Sequence, residues 1–256
     1  MTDNLLVTNK VYIEGKVISE VEFSHQMYGE GFYILKIEVP RLSEAVDILP
    51  VTVSERLISI MDIKVGSSVG IVGQLRSYNK IVDGNNRLIL TIFARDINPI
   101  SEISKTPNQI FIDGFICKSP VYRTTPFGRE ITDILVAANR PYNKSDYIPV
   151  IAWGRNARFS STLEIGSHIR IWGRIQSREY EKKVSEDVTL SRVAYEVSIT
   201  KMESVSDEEE ADNNESNVYE LNASSTSYCE ECRFGDGSEE YDPNVALEEV
   251  SAEVTK

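Results

Sequence analysis

Side chains able to do covalent chemistry are few in these 256 residues: two histidines, His25 and His168, and three cysteines, Cys117, Cys229 and Cys232. Neither a G-x-S-x-G nucleophile turn nor an H-E-x-x-H zinc motif occurs, and no glycine-rich phosphate loop follows a strand. Cys229-x-x-Cys232 lacks the second pair of ligands that a closed tetrahedral zinc site needs, so it reads as two exposed thiols in a linker. Three cysteines cannot build the disulfide framework of a small secreted domain either. The expectation is a protein that is no enzyme and carries no metal and no cofactor.

What the sequence offers instead is aromatic rings interleaved with cations. In the segment 147–153, strand alternation turns Ile148, Val150 and Ala152 to one side and Tyr147, Pro149, Ile151 and Trp153 to the other. The first set suits a barrel interior, which leaves a tyrosine and a tryptophan outside. Around them lie Arg140, Tyr142, Lys144 and Arg155, and the run RIQSREYEKK brings Arg174, Arg178, Tyr180, Lys182 and Lys183. Tyr122, Arg123, Phe127 and Arg129 in an earlier loop extend the same groove. Cations that follow phosphates, with ring faces on which bases stack, are what sequence-tolerant single-strand binding requires. The same outer rings would also serve an interface in a protein scaffold, or RNA.

The elements that must position these residues come in two copies. Asn9-Lys-Val-Tyr-Ile-Glu-Gly15 returns as Asn108-Gln-Ile-Phe-Ile-Asp-Gly114, an offset of 99 that also relates Gly29 to Gly128, Arg41 to Arg140, Asp47 to Asp146 and Arg56 to Arg155. After one inserted residue, Gly66, Gly73 and Ser77 match Gly166, Gly173 and Ser177. Each copy has strand-like segments rich in β-branched and aromatic residues: Val11–Ile18, Phe32–Val39, Ile48–Val53, Val69–Ser77 and Arg87–Asp96 in the first. Those of the second are Ile110–Lys118, Ile131–Ala138, Tyr147–Trp153, Ile169–Ser177 and Val188–Thr200. Glu55–Ile63 and Asn156–Ile165 are spaced instead like a short helix, each followed by a glycine. Three strands, a helix and two strands in each copy predict an all-β protein of two tandem OB-fold five-stranded barrels, over 5–103 and 108–202.

The formal net charge of −13 is unevenly spread. Residues 203–256 hold 17 of the 40 acidic residues but only Arg233 and Lys256 of the basic ones, a net of −15. Residues 108–202 hold 14 basic and 10 acidic residues, a net of +4, and residues 1–107 hold 11 and 13, a net of −2. The acidity therefore does not argue against a nucleic-acid partner for the second copy. The stretch from 203 onward, polar and without periodicity, reads as a disordered acidic tail. No run of 18 apolar residues occurs and MTDNLLVTNK has no signal-peptide pattern, so a cytoplasmic location is expected.

The segments LVAANR (135–140), DYIPVIAWGRNAR (146–158) and LEIGSHIRIWGRIQSREY (163–180) resemble the bacterial single-stranded DNA-binding protein family over nearly the whole of 108–202. The resemblance implies an OB fold that wraps single-stranded DNA during replication, recombination and repair, with stacking rings at Tyr142, Tyr147, Trp153 and Tyr180. It also implies assembly of four barrels, hence a homodimer of a two-barrel chain, and an acidic tail that recruits replication and repair proteins. Two departures stand out. The first copy has Ser43, Ile48 and Ser54 where the second has Tyr142, Tyr147 and Trp153, so it reads as a structural or oligomerising barrel with Tyr28, Phe32, Tyr78 and Lys80 as a reduced groove. The tail closes LEEVSAEVTK rather than with the family's usual Ile-Pro-Phe.

Overall fold

The computed structural model describes residues 8–60, 63–82, 85–185 and 188–205. The first half runs β1 (Asn9–Val17), β2 (Glu22–Met27), β3 (Glu30–Pro40), β4 (Val46–Ser54), α1 (Glu55–Ile60), β5 (Ser68–Val82) and β6 (Asn85–Pro99). The second repeats that order as β7 (Asn108–Ile116), β8 (Val121–Thr124), β9 (Glu130–Arg140), β10 (Lys144–Trp153), α2 (Arg155–Ser160), β11 (His168–Ser185) and β12 (Val188–Ser204).

Each half closes on itself. β1 pairs with β5 and, at Lys16 and Val17, crosses to β3; β3 pairs with β4, β4 with β6 in parallel, and β6 returns to β5. β7, β9, β10, β12 and β11 make the same circuit. This is the five-stranded OB barrel, with the helix between its third and fourth strands. The crossing explains two of the repeated glycines. A Cβ on Gly15 would lie 2.4 Å from the Glu38 carbonyl oxygen, and one on Gly114 would lie 2.5 Å from that of Ala137. The repeated asparagines have a local role too. Asn9 Nδ2 donates to the Leu75 carbonyl (2.7 Å) and Asn9 Oδ1 accepts from the Leu75 N–H (3.0 Å), while Asn108 does the same with Ile175 (2.7 and 2.9 Å).

Several elements differ from expectation. β2 and β8 pair outside β3 and β9 as extra strands. All six residues of β2 are exposed, so it has no apolar alternation by which to be read. The β5–β6 and β11–β12 hairpins run well past the expected strand ends, through polar residues such as Asn79 and Glu179 that the ladder continues to pair. The helices are shorter than their sequence spans, and Ile165 lies exposed beyond α2. β12 takes in Glu203 and Ser204, past the expected boundary at Met202; residues 206–256, with Cys229 and Cys232, lie outside the described residues. Among the described residues no helix is long and apolar enough to cross a membrane.

β1 and β7 lie antiparallel, Lys10 opposite Phe111 and Tyr12 opposite Gln109, which joins the barrels into one twelve-stranded sheet with β2 and β8 at its edges. Alternate residues point into the cores: Val11, Ile13, Leu35 and Ile37 in the first barrel, and Ile110, Ile112, Ile148, Val150 and Ala152 in the second. Ile151 was expected outside but is buried, opposite Asp133 where β8 widens the sheet.

Candidate nucleic-acid interface

The repeated pairs Arg41 and Arg140, Asp47 and Asp146, and Ser77 and Ser177 clamp one barrel to the other. Asp146, buried at the start of β10, accepts the Ser77 N–H (2.8 Å) and the Arg76 guanidinium (2.9 Å) from β5 of the first barrel, and its own barrel's Arg140 (3.2 Å). The Tyr147 N–H then donates to Ser77 Oγ (2.7 Å). The pseudo-equivalent clamp centres on buried Asp47, which accepts the Ser177 N–H (2.8 Å) and Arg41 Nε (2.8 Å), with Arg174 3.5 Å away. There the Ile48 N–H donates to Ser177 Oγ (3.0 Å). The long hairpin of each barrel thus crosses onto the β3–β4 or β9–β10 end of the other.

This crossing divides the residues that sequence reasoning had grouped in one groove. Tyr142, Lys144, Tyr147 and Trp153 stay together along β10 and the turn before it. Tyr142 and Asn143 both have positive φ (66° and 54°), a conformation that bulky residues seldom adopt, and Tyr142 is 94% exposed. Trp153 is 38% exposed where β10 ends, and Arg155 follows exposed in α2. Arg174, Arg178 and Tyr180 instead sit on the strand that docks against β4 of the first barrel. The Tyr180 ring packs on the core, with the Arg178 guanidinium over its face at 5.7 Å and Glu196 Oε1 3.8 Å from Arg178 Nε. Lys182 and Lys183 belong to β11, but their side chains lie outside the described residues.

The β8–β9 hairpin forms a third group. Phe127 at its tip is 92% exposed beside Arg129, and Gly128 supplies the positive φ (74°) of the turn. Arg123 Nε donates to Asp133 (2.7 Å) and the Tyr122 hydroxyl donates to Glu130 (2.6 Å). Arg158, which sequence reasoning passed over, donates to the same Glu130 carboxylate (2.7 Å) from α2. Arg158 and then Tyr122 hold Glu130 below the usual carboxylate range, and the same hydrogen bond pushes the Tyr122 phenol up. Its spacing on a short helix gave Arg158 no signal.

In the first barrel Phe32 is buried against Phe93 and His25, so it is not available as a groove residue; Tyr28, in the two-residue turn before β3, is fully exposed. Tyr78 and Lys80 are exposed on the hairpin that crosses to the second barrel. Sequence reasoning gave them to the first barrel's groove because a pairing between residues about 70 apart leaves no local pattern.

Residues 107–205 match the model of the single-strand binding protein family. Among curated proteins, the single-stranded DNA-binding protein of Clostridium tetani is 35% identical over 83 residues, 30% of this chain and 57% of that one. Single-stranded DNA-binding protein A of Bacillus subtilis is 29% identical over 96 residues, 35% of this chain and 56% of that one. The chain thus spans little more than half the length of these relatives. Among solved structures, the wild-type single-stranded DNA binding protein from Thermus aquaticus superposes with a TM-score of 0.63 at 17% identity, covering 77% of this chain and 93% of that one. That likeness extends across both barrels and shows the shared fold. It is the second barrel, residues 107–205, whose sequence is similar to the single-strand binding protein family.

Proposed function

We propose that this chain binds single-stranded DNA without strong sequence preference and serves to cover it during replication, recombination or repair, as a binding protein and not a catalyst. The observation that carries the reading is the second barrel's surface, where Tyr142, Phe127 and Trp153 stand exposed among Lys144, Arg155 and Arg129. Exposed rings offer faces on which successive bases stack, and the cations follow the phosphates. The names of the curated relatives support the same ligand. Tyr142, Lys144, Tyr147, Trp153 and Arg155 form the main contact surface, which Tyr122, Arg123, Phe127 and Arg129 extend along the β8–β9 hairpin. Arg140 and Arg174 serve the clamps first, Arg140 Nη1 on Asp146 and Arg174 between Asp47 and Gln176, so a phosphate must share their guanidinium groups with those partners.

The functional unit in this reading is a homodimer with four barrels. Tyr12, Phe111 and Trp172 lie half-buried on one face of the β1–β7–β11 sheet, with Phe111 and Trp172 in ring contact (5.2 Å) and Lys201 over Trp172 (4.5 Å). That face suits a second copy. The acidic segment beyond residue 203 is the part assigned to recruiting replication or repair proteins.

The test is a fluorescence titration with oligo-dT. Tryptophan emission quenches on binding, affinity falls steeply with salt, and Tyr147→Ala with Trp153→Ala lose roughly 2–6 kcal/mol as two bases unstack. Unchanged affinity in the double variant would refute the site. Oligo-rU of equal length bound as tightly as oligo-dT would move the reading to RNA.

A further inference from the structure

We propose that the first barrel completes the DNA groove of the second, with Tyr78 as a stacking residue and Lys80 as a phosphate contact, both carried on the β5–β6 hairpin. The inference rests on the single-strand reading above and assigns part of that site to the barrel that lacks the stacking rings of its twin.

The clamp at Asp146 fixes where the hairpin lies. Ser77 is held from two sides, its N–H by Asp146 and its Oγ by the Tyr147 N–H, so the residue after Ser77 starts beside the backbone of a proposed DNA contact. Arg76, Tyr78 and Lys80 alternate onto one face of β5, and the Arg76 guanidinium on that face reaches Asp146. The strand thus meets the β9–β10 end of the second barrel, where Tyr142 and Lys144 stand, through Arg76 on one face and Ser77 on the other, and Tyr78 and Lys80 follow on the face of Arg76. Tyr78 is 44% exposed and Lys80 is exposed beyond it.

Charge favours an anion at this clamp over its twin. Arg76 and Arg140 share one carboxylate, Asp146, and Arg95 joins Arg76 through Gln74 Oε1, which accepts from Arg76 (2.6 Å) and Arg95 (2.9 Å). At the other clamp the positions paired as Arg76 and Thr91 are filled by Gln176 and Glu196, which hydrogen-bond each other (2.6 Å), and Glu196 draws Arg178 towards itself. Burial lowers the Arg76 pKa from its ordinary value; Asp146 opposes this, while Arg140 and Arg95 add to it. A phosphate oxygen brought to this cluster would relieve that crowding.

The test uses the full chain with fluorescein-labelled oligo-dT and follows anisotropy. Tyr78→Ala is expected to weaken binding about 5- to 50-fold, and Lys80→Ala to lower the slope of log K against log salt by about one. Combined with Tyr147→Ala, Tyr78→Ala is expected to cost less than the product of the separate effects, because both rings serve one path of bases. A folded Tyr78→Ala, Lys80→Ala variant that binds like the unaltered chain would overturn the inference while leaving the single-strand reading in place. No binding by the unaltered chain would overturn both. Photocrosslinking to 5-iodouracil-substituted DNA gives a readout that needs no substitution: a crosslinked peptide containing Tyr78 supports the assignment, and crosslinks confined to residues 122–155 count against it.

Discussion

The two clamps use the same bonds and present different surfaces. At each, a buried aspartate takes a serine N–H from the opposite hairpin, and that serine's hydroxyl accepts the backbone N–H that follows the aspartate. Yet the residue after Asp146 is Tyr147, with Tyr142 in the turn, whereas the residue after Asp47 is Ile48, with Ser43 in the turn. The hairpins differ in the same sense: Arg76 reaches across to the aspartate on the tyrosine side, whereas Gln176, in its place on the other hairpin, bonds to Glu196 on its own. What the two copies share holds the barrels together, and what they do not share sets which side meets a ligand.

The largest effect is expected where the copies agree. Asp47→Ala and Asp146→Ala each leave two arginines and a serine N–H without their carboxylate, and each is expected to lose about 3–5 kcal/mol of stability in urea unfolding, because removal of one partner strands a desolvated charge. Similar losses at both positions sharpen the comparison. A large loss at one clamp with none at the other would break it, and would mean that one hairpin alone joins the barrels.

A smaller effect is expected where the copies differ. Ser43 and Ile48 are exposed positions on the first barrel, equivalent to Tyr142 and Tyr147. Ser43→Tyr with Ile48→Tyr restores two ring faces next to β11 of the second barrel, and is expected to tighten oligo-dT binding by about 1 kcal/mol, near the lower end for one stacked base, since Glu196 opposes phosphate there. No gain would show that the charge of the facing hairpin, and not the missing rings, keeps the first barrel from the ligand.

The barrel circuit was readable because its signals are local. Alternation marks Val11, Ile13, Ile110 and Ile112, and the repeated glycines recur where a Cβ would strike a neighbouring carbonyl. The division of the site was not readable. Arg140, Asp146, Ser77 and their equivalents stood out as repeated residues, but nothing in their spacing says that Ser77 bonds to Asp146 instead of to its own barrel. Tyr180 joins Tyr147 in the sequence because rings interleaved with cations are a local pattern, whereas the docking of its strand β11 against β4 is not. β2 escaped for the opposite reason: its six exposed residues bury nothing that could impose a period.

The smallest effect tests whether the outer ion pairs belong to the comparison at all. Arg123 and Asp133 meet at 2.7 Å on β8 and β9, with the arginine side chain 41% exposed. Offset by 99, the first barrel has Ser24 and Ile34 at these positions, so the pair is particular to the second. A pair so open to water contributes about 0–1 kcal/mol to stability, because solvent screens it and two side chains must be held still. Arg123→Ala is therefore expected to leave urea unfolding within that range. Its effect on oligo-dT should show as a drop of less than one in the salt slope, since Asp133 already engages the guanidinium and a phosphate must share it. A full unit would mean that the ion pair opens when DNA binds and that Arg123 ranks with Lys144 as a phosphate contact; a zero change would confine the second barrel's surface to β10 and the hairpin that crosses to it.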